Sequence, residues 1–267
     1  MDTLQPMAND FLSRILGDKR LEVVTRKAAI PQAVLRERAQ STAPALPVLS
    51  ALRGDRLRVI AEVKRASPSA GAFAIGMDAQ AQAVRYARGG AAAISVLTDK
   101  PYFQGSLGDL EEARAAVSVP LLRKDFIIDP YQVYEARVAG ADFVLLIVAA
   151  LTAEDLASLL ALTETLGMAA LVEVNTIEEA RRASGLGASL VGINNRDLHS
   201  FRVDMATTAR VRPMLSARTV VASLSGVRTV EDARAMRAAG ADAVLVGEAL
   251  ARSAEPERLL TQFAALP

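Results

Sequence analysis

Gly140-Ala141-Asp142-Phe143-Val144-Leu145-Leu146-Ile147-Val148 is followed shortly by Thr152-Ala153-Glu154-Asp155, and later by Gly167-Met168-Ala169-Ala170-Leu171-Val172-Glu173-Val174. The run Asp142–Val148 is apolar at both parities, the pattern of a parallel strand covered on both faces. Thr152 offers an N-cap oxygen, and Glu154 and Asp155 put acids in a first turn, where they meet orphan N–H groups and the positive end of the helix dipole. Leu156, Leu159, Leu160 and Thr163 then recur on one helical face, and Gly167 can take the left-handed stop. Ala169–Val174 opens the next apolar run. The stretch reads as strand, helix, strand.

The same unit recurs outward in both directions. Apolar runs stand at Val59–Lys64, Ala92–Leu97, Pro120–Lys124, Asp142–Val148, Ala169–Val174, Leu190–Asn194, Thr219–Ser223 and Ala243–Gly247. They begin about every 26 residues, close to one strand plus one helix. Thr176-Ile177-Glu178-Glu179 reads as a capping box, and Thr229-Val230-Glu231-Asp232 as its near relative. Gly-Ala pairs at 90–91, 140–141, 187–188 and 240–241 fit a helix-ending glycine followed at once by a strand. Eight alternating units predict an α/β fold, a (β/α)8 or TIM barrel. The rival, a doubly wound open sheet, wants a Gly-rich turn after its first strand. Lys64-Arg65-Ala66-Ser67-Pro68-Ser69 stands there instead. Residues 1–55 precede the barrel unit of residues 56–267. Phe11, Ile15 and Leu16, then Leu21 and Val24, predict one or two amphipathic helices; Pro44–Pro47 and Arg53-Gly54-Asp55 read as connectors. The segment is too short for a domain and is expected to pack on the barrel as a helical extension.

Composition narrows the chemistry. Of 267 residues 51% are apolar and 23% charged, which rules out a mainly disordered chain. The 31 basic and 30 acidic residues leave a net charge of +1, so neither nucleic acid nor an anionic membrane is expected as a partner. The lack of cysteine excludes disulfides, a thiol nucleophile and a zinc–thiolate site. His199 is the single histidine, which excludes a multi-histidine metal centre and argues against Ser-His-Asp chemistry. No apolar run approaches the ~20 residues that cross a bilayer. Met1–Asp10 carries acids and lacks the basic-then-apolar order of a secretion signal. The expectation is a soluble cytoplasmic protein whose chemistry rests on Lys, Arg, Asp, Glu, Asn and Ser.

In a (β/α)8 barrel the site lies at the carboxyl ends of the strands, and strand parity sorts the charges there. Glu62 and Lys64 share a face at the end of the first strand. So do Lys124 and Phe126 in the third, Glu173 and Asn175 in the fifth, and Asn194 and Arg196 in the sixth. The fourth ends in Leu145, Ile147 and Ala149 with no charge. That layout predicts a ring of acids, lysines and amides facing one apolar wall. A lone Glu-Lys pair is commonly just an ion-paired edge, but several converging on one mouth point to function. Arg123, of opposite parity to Lys124, is expected to pair with an acid behind the barrel, and Asp125 reads as an outward ion-pair partner. His199 reads as an exposed loop imidazole. Ser225-Gly226 and Gly247-Glu248, after the seventh and eighth strands, put backbone N–H groups at the usual barrel phosphate position.

Four blocks carry a resemblance. Ile60-Ala61-Glu62-Val63-Lys64-Arg65-Ala66-Ser67-Pro68-Ser69, Ile94-Ser95-Val96-Leu97-Thr98-Asp99, Leu122-Arg123-Lys124-Asp125-Phe126-Ile127 and Val191-Gly192-Ile193-Asn194-Asn195-Arg196-Asp197-Leu198 together resemble the indole-3-glycerol-phosphate synthase family. The resemblance implies ring closure of 1-(2-carboxyphenylamino)-1-deoxyribulose 5-phosphate in tryptophan biosynthesis, with loss of carbon dioxide and water and no cofactor or metal. It implies Lys124 as proton donor to the ketone, with Lys64, Glu62 and Glu173 sharing the remaining acid and base steps. Lys64 is also a candidate to hold the anthranilate carboxylate. Asn194 and Arg196 would orient the substrate and neighbouring acids. Phe103, Phe126, Leu145, Ile147 and Leu198 would line the aryl pocket, and Ser67, Ser225, Gly226 and Gly247 would take the phosphate. The expected partner is this small phosphosugar, and the expected state a monomer or weak homodimer. One position departs: the family reads Ser-Glu-Ser-Gly after the seventh strand, whereas here it is Ser223-Leu224-Ser225-Gly226. Leu224 therefore keeps open an alternative, a non-catalytic or impaired phosphosugar-binding barrel. Phosphoribosylanthranilate isomerase and the tryptophan synthase alpha subunit share the Gly loops but not the Glu62-x-Lys64, Lys124-Asp125-Phe126 and Asn194-x-Arg196 blocks.

Overall fold

Alternate residues of each apolar run turn to opposite sides of one closed sheet. The computed structural model describes residues 11–68, 71–74, 76–198 and 200–267, so His199 and Ser69 lie outside the described residues. Three helices come first, α1 (Phe11–Ala29), α2 (Gln32–Ser41) and α3 (Val48–Leu52). Eight parallel strands follow: β1 (Arg58–Val63), β2 (Ala93–Leu97), β3 (Leu121–Lys124), β4 (Phe143–Ile147), β5 (Ala169–Val174), β6 (Leu190–Asn194), β7 (Val220–Leu224) and β8 (Ala243–Val246). They close in chain order, β8 pairing with β1, into the expected (β/α)8 barrel. The outer helices are α4 (Ala79–Arg88), α5 (Lys100–Phe103), α6 (Leu107–Ala116), α7 (Pro130–Val138), α8 (Ala153–Thr165), α9 (Ile177–Gly185), α10 (Thr207–Val211), α11 (Val230–Ala238), α12 (Glu248–Arg252) and α13 (Pro256–Ala264). A short antiparallel hairpin, Ala66–Ser67 with Gly71–Ala72, sits in the loop after β1.

The two-sided apolar pattern has a direct cause. Phe143, Leu145 and Ile147 of β4 join an inner cluster with Ile60, Leu122, Leu171 and Leu190. Val144 and Leu146 of the same strand belong to the larger layer between strands and helices. Both faces are dry, so both parities are apolar. Val48 and Leu52 of α3 join the inner cluster and close the barrel where the strands begin. Helix ends follow the local code: Thr152 accepts the Asp155 N–H, and Gly140 and Gly167 take φ of 85° and 75°, open to glycine at no steric cost.

Two local expectations need correction. Thr176 accepts the Glu179 N–H, but the Glu179 carboxylate accepts from Asn175 rather than from Thr176, so that box is half formed. The reciprocal box is the near relative, Thr229 with Asp232. In α1 the buried face is Leu12, Ile15, Leu16, Lys19 and Val23, whereas Leu21 and Val24 are 70% and 66% exposed. The reason is phase: at 3.6 residues per turn, Lys19 and Val23 fall within about 20° of Leu12, and Leu21 falls opposite. A lysine, Lys19, completes the buried stripe in place of Leu21 and Val24.

Candidate active site

The strand ends converge on a cavity of about 290 Å³. β1 brings Glu62 and, just past its end, Lys64; β3 brings Lys124 and then Phe126; β5 brings Glu173; β6 brings Asn194, then Arg196 and Leu198. Leu145 and Ile147 of β4 form the uncharged wall, and Phe103 of α5 stands beside Phe126 with ring centroids 6.3 Å apart. Ser67, Ser225, Gly226 and Gly247 close the side next to β1, β7 and β8. All the side chains and glycines assigned from sequence thus line one cavity. Asn175 does not: its amide donates to the Asn194 carbonyl at 2.7 Å, and it borders a separate, smaller hollow.

The charges form two unlike pairs. Lys64 Nζ lies 2.8 Å from Glu62 Oε2, in contact, and Ser95 Oγ donates to Glu62 Oε1 at 3.4 Å. Burial pushes the Glu62 carboxyl up, but Lys64 and then Lys124 outweigh it and hold the group below its usual range. Across the mouth, Lys124 Nζ stands 4.0 Å from Glu173 Oε2. Glu173 Oε1 accepts from Asn194 Nδ2 at 2.9 Å, and Asn194 Oδ1 accepts from the Arg196 N–H at 2.9 Å. Glu173 Oε2 is buried and has no hydrogen-bond partner among the described residues. One oxygen is therefore fixed, and the other faces Lys124 at 4.0 Å with no hydrogen-bond donor among the described residues.

The glycines answer to close packing as well as to phosphate. A Cβ on Gly247 would lie 2.5 Å from Glu62 Oε2 and 3.1 Å from Lys64 Nζ, so this glycine makes room for the contact pair. Gly226 takes φ 92°, and a Cβ there would meet Met205 Sδ at 2.4 Å. Ser225 also lies in the left-handed region, φ 62°, its carbonyl held by Asn195 Nδ2 at 3.0 Å. Leu224, 2% exposed, borders the cavity and packs over Gly192, where an added Cβ would meet Leu224 Cδ1 at 2.7 Å.

Behind the barrel, Arg123 pairs with Asp125 at 3.1 Å and with Glu135 of α7 at 3.2 Å, as its parity implies. Asp125 also meets Lys19 of α1 at 2.9 Å. Lys19 is a residue the sequence reading missed. The available signal was its place in the Leu12, Ile15, Leu16, Val23 stripe, where an unpaired charge is untenable. Breaking such a buried pair by removing one partner typically costs about 3–5 kcal/mol. Among the described residues no group of three or more His, Asp or Glu is arranged to hold a metal ion.

A family model described as indole-3-glycerol phosphate synthase matches residues 12–263. An indole-3-glycerol phosphate synthase of Roseiflexus sp. is 53% identical over 249 residues, covering 90% of this chain and 93% of the relative. That of Mycolicibacterium smegmatis is 52% identical, covering 92% and 90%. Among solved structures, a thiamine phosphate pyrophosphorylase from Pyrococcus furiosus superposes with a TM-score of 0.59 at 16% identity, over 81% of this chain and 96% of that one, a likeness of fold alone.

Proposed function

The chain belongs to the indole-3-glycerol phosphate synthase family, and from that premise we propose how its own residues divide the work. The reaction is the ring closure of 1-(2-carboxyphenylamino)-1-deoxyribulose 5-phosphate, a lyase step of tryptophan biosynthesis. The aryl carbon bearing the carboxylate attacks the ketone carbon, and Lys124 gives a proton to the ketone oxygen. Carbon dioxide leaves, and the electron pair of its bond restores the aromatic ring. The new hydroxyl then departs as water with a proton from an acid, while a base takes the proton the five-membered ring must lose. Counting the starting carboxylate as an anion, the sum consumes one proton from solvent.

The observation that carries the assignment is the asymmetry of the two pairs. Lys64 Nζ, 2.8 Å from the Glu62 carboxylate, is placed to meet the departing hydroxyl and the substrate carboxylate. Glu173, with one oxygen fixed by Asn194 and the other without a partner among the described residues, suits the base. Asn194 and Arg196 set its angle. Phe103, Phe126, Leu145, Ile147 and Leu198 take the aryl ring, and the amides around Ser67, Ser225, Gly226 and Gly247 take the phosphate. Incubation with the carboxyphenylamino substrate should give indole fluorescence, and its failure to appear would overturn the mechanism. The comparisons give no support to the non-catalytic alternative raised by Leu224.

Leu224→Glu tests what the leucine does. The new carboxylate would stand in register beside Asn194, on the inner face shared with the lysines. One charge-assisted hydrogen bond is worth about 1.5–3 kcal/mol, only partly realised in the transition state, so kcat/KM should rise several-fold. The same change removes packing over Gly192 and buries an acid, so the melting temperature should fall. An unchanged or lower efficiency would make the leucine an accommodated substitution.

Residues 1–55 are assigned to an extension and 56–267 to the catalytic barrel. Among the described residues none before Val48 is a buried member of the two main clusters, and only Ala45 packs against the larger one, so removal of residues 1–45 should leave a cooperative melt and a weakened substrate site. Loss of all cooperativity would make the segment part of the core. The expected state is a monomer or weak homodimer in the cytoplasm. None of the helices is long and apolar enough to cross a membrane, as far as the described residues go.

A further inference from the structure

We propose that Lys19, on the N-terminal helix, is a positioning residue for the barrel's chemistry, fixing where Lys124 and the Phe103–Phe126 wall stand. Its ammonium lies 2.8 Å from Asp99 Oδ2 and 2.9 Å from Asp125 Oδ1, with Glu22 of its own helix at 2.8 Å. The lysine and both aspartates are buried: Lys19 is 2%, Asp99 1% and Asp125 3% exposed.

The two carboxylates belong to different walls of the active site. Asp99 follows β2, and its Oδ1 accepts from the Tyr102 N–H at 2.9 Å, capping the short helix that carries Phe103. Asp125 sits in the chain between Lys124 and Phe126, and its Oδ1 also accepts from the Phe126 N–H at 2.8 Å. Its Oδ2 accepts from Thr98 at 2.6 Å and pairs with Arg123. Arg123 and Thr98 hold Asp125 from behind but do not reach Asp99. The link between the two carboxylates is the Lys19 ammonium, and without it two buried acids face each other.

Their electrostatics agree. Burial works against ionisation of Asp125, yet Arg123 and Lys19 hold its carboxyl far below the usual range. Asp99 is the weaker end, where burial raises its carboxyl despite Lys19. Removing Lys19 would drive the acids apart or protonate Asp99. Either outcome moves the loops after β2 and β3, and with them the proton donor and the aryl wall.

The inference rests on the reading of Lys124 as proton donor, and the two fail separately. Lys124→Ala with activity retained would sink that reading, whereas the tests here concern the bridge from Lys19 to Asp99 and Asp125 and leave Lys124 in place. Lys19→Met keeps length and burial and removes the charge. Its kcat, measured well below its own melting midpoint, should fall about tenfold to a hundredfold, the scale of a small misplacement of reacting groups. Lys19→Arg, which keeps the cation, should recover most of that loss. A merely structural lysine would lower the melting temperature and leave kcat and KM unchanged, and that result overturns the proposal. Should Lys19→Met fail to fold, Asp99→Asn carries the test, because asparagine still caps α5 while the bridge weakens. Its kcat should fall about threefold to tenfold on the same reasoning; an unchanged kcat overturns the proposal equally.

Discussion

Lys124→Ala should lower kcat by about a thousandfold, within the range that a positioned proton donor supplies. The variant should stay folded. Lys124 is partly exposed, and its only close ionic neighbour among the described residues is Glu173 at 4.0 Å. At that separation the two groups are not in direct contact, so the variant should keep a cooperative melt. Glu173 keeps its bond from Asn194, and the Glu62–Lys64 contact on the far side of the mouth is left intact. What is lost is the proton for the ketone oxygen as the carbon–carbon bond forms. Steady-state turnover within tenfold of the parent would remove Lys124 from that role.

Glu173→Gln should cost about 10²–10⁴ in kcat, because an amide keeps the shape of a carboxylate but takes up no proton near neutral pH. The substitution is close to isosteric, and Asn194 Nδ2 can still donate to the glutamine oxygen. The amide NH2 would then face Lys124, which pairs a donor with a cation, so some rise in KM is expected as well. The split between the constants is the decisive measurement. A fall in kcat assigns Glu173 to proton transfer, and a change in KM alone would make it a binding residue.

Both predictions concern residues found by their position at strand ends. Glu62, Lys64, Lys124, Glu173, Asn194 and Arg196 were legible because charge interrupts an apolar run where the strand stops, and period two says which charges share a side. The apolar wall of Leu145 and Ile147 was legible for the same reason in reverse. From sequence Gly247 reads as a phosphate-loop glycine, yet its packing against Glu62 and Lys64 depends on β8 lying beside β1 at closure. Thr176 and Thr229 show the limit of cap reading: one pattern closes fully, the other lends its acid to Asn175.

By itself the sequence determined the barrel, its order of units and the residues facing its mouth, because each follows from a short period repeated along the chain. Strand parity and helix phase are local, set by backbone geometry within a few residues. The tertiary structure alone decided which face of α1 is buried, that Lys19 joins Asp99 to Asp125, and that two lysines find two unlike partners. Those facts depend on groups far apart in the chain meeting in a dry interior. There an ammonium is tolerated only where closure of the barrel has gathered carboxylates around it.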